Sequence, residues 1–150
     1  MAFEAIYRGP NPCPAAMNQH NIEIKGIGFF LYDSKENLVC LHKRDKKGGN
    51  KWDCFGGEAE KGENSEEALS REVFEELGIE IDFRLMEQLV VLNDKQIFFI
   101  HFPAYKKSLL KLNEGSGFAW FSIDEAKRLI DIDDEASEIL NSFISRLENV

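Results

Sequence analysis

Apolar and polar residues alternate at the start of IEIKGIGFFLY, residues 22–32, and the segment then becomes continuously apolar. That is the pattern of a strand. A polar turn at Asp33 to Asn37 separates it from LVCLHKR, residues 38–44, and the two segments read as a hairpin. Residues 43–51, KRDKKGGNK, form a basic, glycine-rich connection, followed by the short segment WDCF and the pair Gly56 and Gly57. After Asn64 the period changes to helical: Leu69, Val73 and Leu77 lie four apart and stack on one face, and Gly78 stands as the terminator. Asn64 supplies an N-cap, and Glu67 three residues later completes a capping-box arrangement. Two further strands are expected over Ile81 to Leu92 and Gln96 to Tyr105, then a loop, KLNEGSG, leading into the strand-like FAWFS. Residues 123–130 and 134–147 have helical spacing, carried in the second by Ile139, Phe143 and Leu147, with acids at both beginnings where the helix dipole favours them. Residues 1–20 hold Pro10, Pro12 and Pro14 around Gly9 and Asn11 and read as an irregular arm. Strands, a helix, more strands and terminal helices make an α/β layered domain without an internal repeat.

Composition narrows this to one globular unit. The 150 residues suffice for one core and not two, and 43% hydrophobic residues, 12 Phe among them, exceed what a disordered chain carries. The longest uninterrupted apolar runs, such as Leu89 to Leu92 and Ile97 to Ile100, are four residues, against about 20 needed to cross a bilayer. No membrane association and no secretory leader are expected, and the expected location is the cytoplasm. Cys13, Cys40 and Cys54 are odd in number and form no CxxC pair, which suits a reducing compartment and argues against structural zinc. The net charge of −9 argues against duplex nucleic acid as a partner, because that affinity comes from Lys and Arg neutralising phosphates. A negative protein still accepts phosphates through a metal ion, so the location of the charge matters more than its sum.

The excess is concentrated. Residues 57–79 hold eight acids against Lys61 and Arg71, which accounts for six of the nine excess negative charges. Three of those acids, Glu72, Glu75 and Glu76, lie close together toward the end of the helix. With Leu69 as zero and about 100° per residue, Glu72 points to about 300°, Glu76 to about 340° and Glu75 to about 240°, beside the apolar arc. A solvated helix face is the ordinary account of such glutamates. Crowded carboxylates nevertheless repel by a few tenths of a kcal/mol per i,i+4 pair, and a hard divalent cation removes that cost. Mg²⁺ takes oxygen ligands, keeps several waters and typically sits between carboxylates and substrate phosphates.

The surrounding residues are more specific. Gly57, Glu63, Arg71, Glu72, Val73, Glu75, Glu76, Gly78 and Ile79 stand at every fixed position of the Nudix box, a match whose chance occurrence is of order 10⁻⁹ per starting position. The chain thus resembles the Nudix hydrolases, the MutT-like family, over 23 specific residues, and the order of its strands is similar to that family's α/β/α sandwich with a mixed sheet. The resemblance implies hydrolysis of a phosphoanhydride bond in a nucleoside diphosphate linked to another moiety, with Mg²⁺, or Mn²⁺, as cofactor. It implies Glu72 and Glu76 as the principal metal pair, Glu75 as a further ligand or bridge, and the Gly56 carbonyl as a backbone ligand. Arg71 then orients Glu75 or Glu63, or is simply a surface ion pair. Glu114, in LNEGSG, is similar to the downstream glutamate that some relatives use as metal ligand or base, and is otherwise a solvated loop residue. Arg44, within the basic cluster, is the candidate for the substrate's phosphates, and Phe55 and Gly57 are candidates for substrate contact. Phe55, Trp52, Phe29 and Phe118 either stack on a base or belong to the core. His42 and His101 read as structural.

The chain departs from the family in two places. Phe55 stands where many relatives have a proline before the paired glycines. Asp94, Lys95, Gln96 and Ile97 occupy the region in which ADP-ribose and dinucleoside-polyphosphate hydrolases carry a proline or a tyrosine. By elimination the expected substrate is a small nucleoside di- or triphosphate, with a triphosphate pyrophosphohydrolase first and a non-catalytic nucleotide-binding or regulatory module as the alternative. Monomer and homodimer both remain open.

Overall fold

Along the chain the strands are β1 (Gly26–Asp33), β2 (Leu38–Lys43), β3 (Trp52–Asp53), β4 (Phe55–Glu58), β5 (Met86–Leu92), β6 (Lys95–His101) and β7 (Gly117–Ser122). Helix α1 (Ser65–Leu77) lies between β4 and β5, and α2 (Ile123–Lys127) and α3 (Asp134–Glu148) follow β7. These elements come from a computed structural model, which describes residues 24–112 and 117–149. The arm at residues 1–20 and Glu114 lie outside the described residues.

The seven strands form one mixed sheet. β1 is its centre and is buried at every position, because helices cover both of its faces. Ile27, Phe29 and Leu31 pack with Ala68, Leu69, Val73 and Leu77 of α1. Phe30 and Tyr32 point the other way, into a second core with Ile139, Leu140 and Phe143 of α3. This two-sided burial explains the continuous apolar run at the end of the first strand, and it makes the domain an α/β/α sandwich.

β1 runs parallel to β6 from Gly26 opposite Lys95 to Tyr32 opposite His101. Its remaining pairing is divided. Leu31 to Asp33 pair with β2, whereas Gly26 to Phe29 pair with β4. The polypeptide from Trp52 to Glu58 therefore pairs first with β2, at His42 and Lys43, and then crosses to β1. Among the described residues β4 pairs only with β1, and its residues Phe55 to Glu58 line a cleft.

α1 begins with a reciprocal cap: the Glu67 backbone N–H donates to Asn64 Oδ1 at 2.8 Å, and the Asn64 N–H donates to Glu67 Oε1 at 2.9 Å. Next to it, the fully buried Ser65 hydroxyl donates to Gln96 Oε1 of β6, which fixes the start of the helix to the sheet. Gly78 ends the helix at φ 69°, in the left-handed region, with its N–H on the Phe74 carbonyl.

Several boundaries differ from the sequence expectation for local reasons. The strand expected from Ile81 starts only at Met86, because the Asp82 carboxylate accepts the Arg84 N–H and winds Phe83–Leu85 into a 3-10 turn. The strand expected to reach Tyr105 stops at His101, ahead of Pro103 and a 3-10 turn over Ala104–Leu109. Helix α2 ends at Lys127, three residues short of expectation. Among the described residues no helix is long and apolar enough to cross a membrane.

Candidate active site

The box links β4 to α1, and a cleft of about 930 Å³ opens where they meet. Gly56 sits in β4 opposite Gly28, with φ 145°; a Cβ there would overlap the Ile27 carbonyl oxygen and lie 2.9 Å from the Gly28 Cα. Only glycine lets the two strands approach so closely. The bare wall at Gly57 has a different use. A Cβ at that position would fall 2.5 Å from Glu72 Oε1, so the absent side chain is what admits the Glu72 carboxylate.

Glu72 and Glu76 are one turn apart on α1 and only 6% and 5% exposed. Glu75 lies at the surface, with half of its side chain exposed. Burying two carboxylates side by side is costly unless opposite charge compensates them. Arg71 supplies part of that compensation. Its Nη1 donates to Glu72 Oε1 at 3.0 Å and to Glu75 Oε1 at 2.8 Å, while Nε and Nη2 grip Glu63 at 2.7 and 2.9 Å. Nη2 also donates to the Glu58 carbonyl at 3.0 Å, so one guanidinium ties the loop, β4 and the helix together. This bidentate grip holds the Glu63 carboxyl below its usual range and raises the guanidinium's own pKa. Of the two partners expected for Arg71, Glu63 and Glu75, it takes both.

Among the described residues, no three or more His, Cys, Asp or Glu side chains stand in an arrangement that holds a metal ion. Glu72 and Glu75 are both turned toward Arg71 Nη1. The donor chemistry nevertheless suits a hard cation. It offers oxygen alone, in two buried like charges beside a wall without a side chain, and a divalent ion would relieve their repulsion.

The other candidates separate clearly. Arg44 lines the cleft, and its Nη1 lies 3.3 Å from Asp53 Oδ2 and 3.6 Å from Asp133 Oδ1. Lys43 of the same basic run lies over the Trp52 ring, 5.0 Å from its centroid, and Lys46 and Lys47 form an exposed turn. Phe55 is 1% exposed and its ring stacks on Phe29 and His42, at 5.2 and 5.1 Å, so it belongs to the core although the residue borders the cleft. His101 is remote from the box and pairs with Glu87 at 3.4 Å.

Sequence reasoning missed part of the cleft. Asp53, Cys54, Lys95, Glu135 and Ile139 line it as well. Lys95 Nζ meets Glu135 Oε1 at 2.8 Å, and Asn93 Nδ2 donates to Glu135 Oε2 at 2.9 Å. Burial pushes the Asp53 carboxyl up, and the negative charge of Asp133 adds to the effect. Burial also pushes the Cys54 thiol well up, so it does not behave as a reactive thiolate. Lys95 and Glu135 are 40 residues apart, and no spacing rule joins them.

A family model described as NUDIX domain matches residues 23–143. No curated protein matches the sequence. Among solved structures, the chain is similar to a MutT protein from Methanosarcina mazei Go1, with TM-score 0.61, 21% identity, and 83% of this chain and 95% of that chain covered. It is similar to the E. coli dihydroneopterin triphosphate pyrophosphohydrolase, with TM-score 0.64, 16% identity, and coverage of 82% and 98%. A C. elegans Ap4A hydrolase gives TM-score 0.58 and 20% identity, with coverage of 84% and 100%. At these identities the likeness is one of fold, and the two names that state a substrate state different ones.

Proposed function

The chain belongs to the NUDIX domain family, and we propose that it is a Mg²⁺-dependent pyrophosphohydrolase whose substrate is a nucleoside triphosphate. The observation that carries this reading is the pair of buried carboxylates, Glu72 and Glu76, set one turn apart beside the bare wall at Gly57. We assign Glu72, Glu75, Glu76 and the Gly56 carbonyl as the groups that hold the ion, with Mn²⁺ as an acceptable substitute. When bound, such an ion lowers the pKa of an attacking water and neutralises charge developing on the phosphates. Arg71 positions Glu72 and Glu75 and keeps the Glu63 loop against the helix. Arg44 takes up substrate phosphate at the cleft wall, and Glu114 remains the candidate for the base that accepts the water's proton. A triphosphate is favoured because the residues after the box, Asp94 to Ile97, lack the proline and tyrosine of other substrate classes. The size of the cleft also suits a single nucleotide.

The test is a panel of nucleoside triphosphates, dinucleoside polyphosphates and nucleotide sugars, incubated with Mg²⁺ or Mn²⁺ and assayed for released phosphate or pyrophosphate. Turnover of triphosphates that falls about 100-fold or more in Glu76→Gln is the expected result, since several kcal/mol of charge stabilisation depend on the ion. Absence of turnover across the panel, with parent and variant alike, overturns the proposal.

A further inference from the structure

The basic connection between β2 and β3 carries two neighbouring glycines with different uses. Gly49 has φ 84°, in the left-handed region, and closes the turn with its N–H on the Lys46 carbonyl at 3.1 Å. Gly48 ends the 3-10 turn Lys46–Gly48 at a φ outside that region, so its backbone accepts any L residue and what the position requires is space. A Cβ at Gly48 would fall 2.8 Å from both Cβ and Nε of Arg44 and 3.4 Å from its Cδ. The Arg44 side chain therefore lies folded over the bare face of Gly48, from its root to the start of its guanidinium. The turn beneath it is fixed. The Asp45 carboxylate accepts the Gly48 N–H at 3.1 Å, the Asp45 carbonyl accepts the Asn50 N–H at 3.0 Å, and the Arg44 N–H donates to the Lys51 carbonyl at 2.9 Å.

The head of Arg44 faces two carboxylates that are themselves anchored. Asp53 Oδ1 accepts the Cys54 N–H at 2.7 Å, and its Oδ2 lies 3.3 Å from Arg44 Nη1. Asp133 Oδ2 caps α3 by accepting the Glu135 and Ala136 N–H groups at 3.1 and 3.4 Å, and its Oδ1 lies 3.6 Å from the same nitrogen. Bare backbone under the stem and two fixed anions at the head leave this long side chain little rotational freedom. A cation ordered in advance loses less entropy when a phosphate arrives. The side chain is nevertheless 41% exposed, and the residue lines the cleft. Resting on the assignment of Arg44 to substrate phosphate, we infer that Gly48 is a positioning residue: its missing side chain sets the direction in which Arg44 enters the cleft.

Gly48→Ala adds one methyl group at a surface turn whose backbone accepts it, and Tm is expected to stay within about 2 °C of the parent's. With the triphosphate of highest kcat/KM in the panel above, KM is expected to rise about 3- to 10-fold while kcat stays within about twofold, the pattern of lost uniform binding. Arg44→Ala should raise KM at least as much, and Gly48→Ala added to it should change KM by no more than about twofold. A merely structural role for the glycine would lower kcat and Tm, and its effect would persist in full in the Arg44→Ala background. Proton–nitrogen correlation spectra of the nucleotide-free protein read the placement directly: the Arg44 Nε–Hε resonance, assigned by its loss in Arg44→Ala, should shift in Gly48→Ala. Calorimetric titration with inorganic tripolyphosphate and Mg²⁺ should show binding weakened by about 3- to 10-fold in the same variant. An unmoved resonance, a KM within about twofold of the parent's, or full additivity with Arg44→Ala overturns the inference. If no nucleotide is turned over, the hydrolase reading fails, and the resonance and the titration still judge Gly48 by themselves.

Discussion

At Gly56 the backbone conformation and the crowding agree. Its φ of 145° disfavours an L side chain, and a Cβ would overlap the Ile27 carbonyl. Gly56→Ala is therefore expected to cost about 2 kcal/mol or more, read as a fall in Tm of roughly 2–4 °C per kcal/mol for a domain of this size. A melting temperature within 1 °C or so of the parent's would show that the strands separate more easily than this geometry allows. Glu63 offers a test with a sign that depends on pH. Arg71 lowers its carboxyl in the folded chain from the ordinary 4.5. A depressed carboxyl contributes stability that is fully present above the unfolded value and is lost as pH falls through the lower folded value. The Tm difference between parent and Glu63→Gln should therefore be constant from neutral pH down to about 5 and shrink below that. A difference that grows on acidification would contradict the assigned pairing.

The secondary-structure elements show how far a sequence reaches. α1 was legible to its ends, because its cap, its apolar period and its terminal glycine are all local signals and the structure contains each of them. Asn64→Ala should lower stability by about 1 kcal/mol. It should leave turnover unchanged, since the acids sit two turns further along the helix; a loss of activity at unchanged stability would mean that the cap positions the box directly. β1 was legible as well, its alternation giving way to a continuous run where both faces are covered. Less could be read in β3 and β4. WDCFGGE has no strand period because the segment changes partner at Cys54, from β2 to β1, and partner choice is a long-range matter. The same reasoning separates two groups of residues at the site. Glu63, Arg71, Glu72, Glu75 and Glu76 fall within one loop and one helix, so their spacing carries their geometry. Asp53, Lys95 and Glu135 come from three elements that only the sheet order brings together.

At the scale of the molecule the question is what a net charge of −9 does when most of its excess lies around one helix. Dispersed over the surface, such a charge would favour solubility and contribute little else. Here two of the acids are nearly buried on adjacent turns, and a single guanidinium is shared among Glu63, Glu72 and Glu75. A divalent cation of the kind proposed would act on the charge of this pair. Binding to the folded state alone adds about 2.7 kcal/mol at a hundredfold excess over Kd. For 150 residues that raises Tm by roughly 5–10 °C. Millimolar Mg²⁺ should produce such a rise in the parent protein, whereas an equal ionic strength of sodium chloride should produce much less, because general screening does not reach a buried pair well. Glu76→Gln separates the two contributions: the Mg²⁺-induced rise should be largely gone, and its melting temperature without metal reports how far the fold already compensates the Glu76 charge. A variant that melts well below the parent without metal would show that the Glu76 charge is already compensated within the fold. In that case the acidity of this helix would serve structure before it serves a cation.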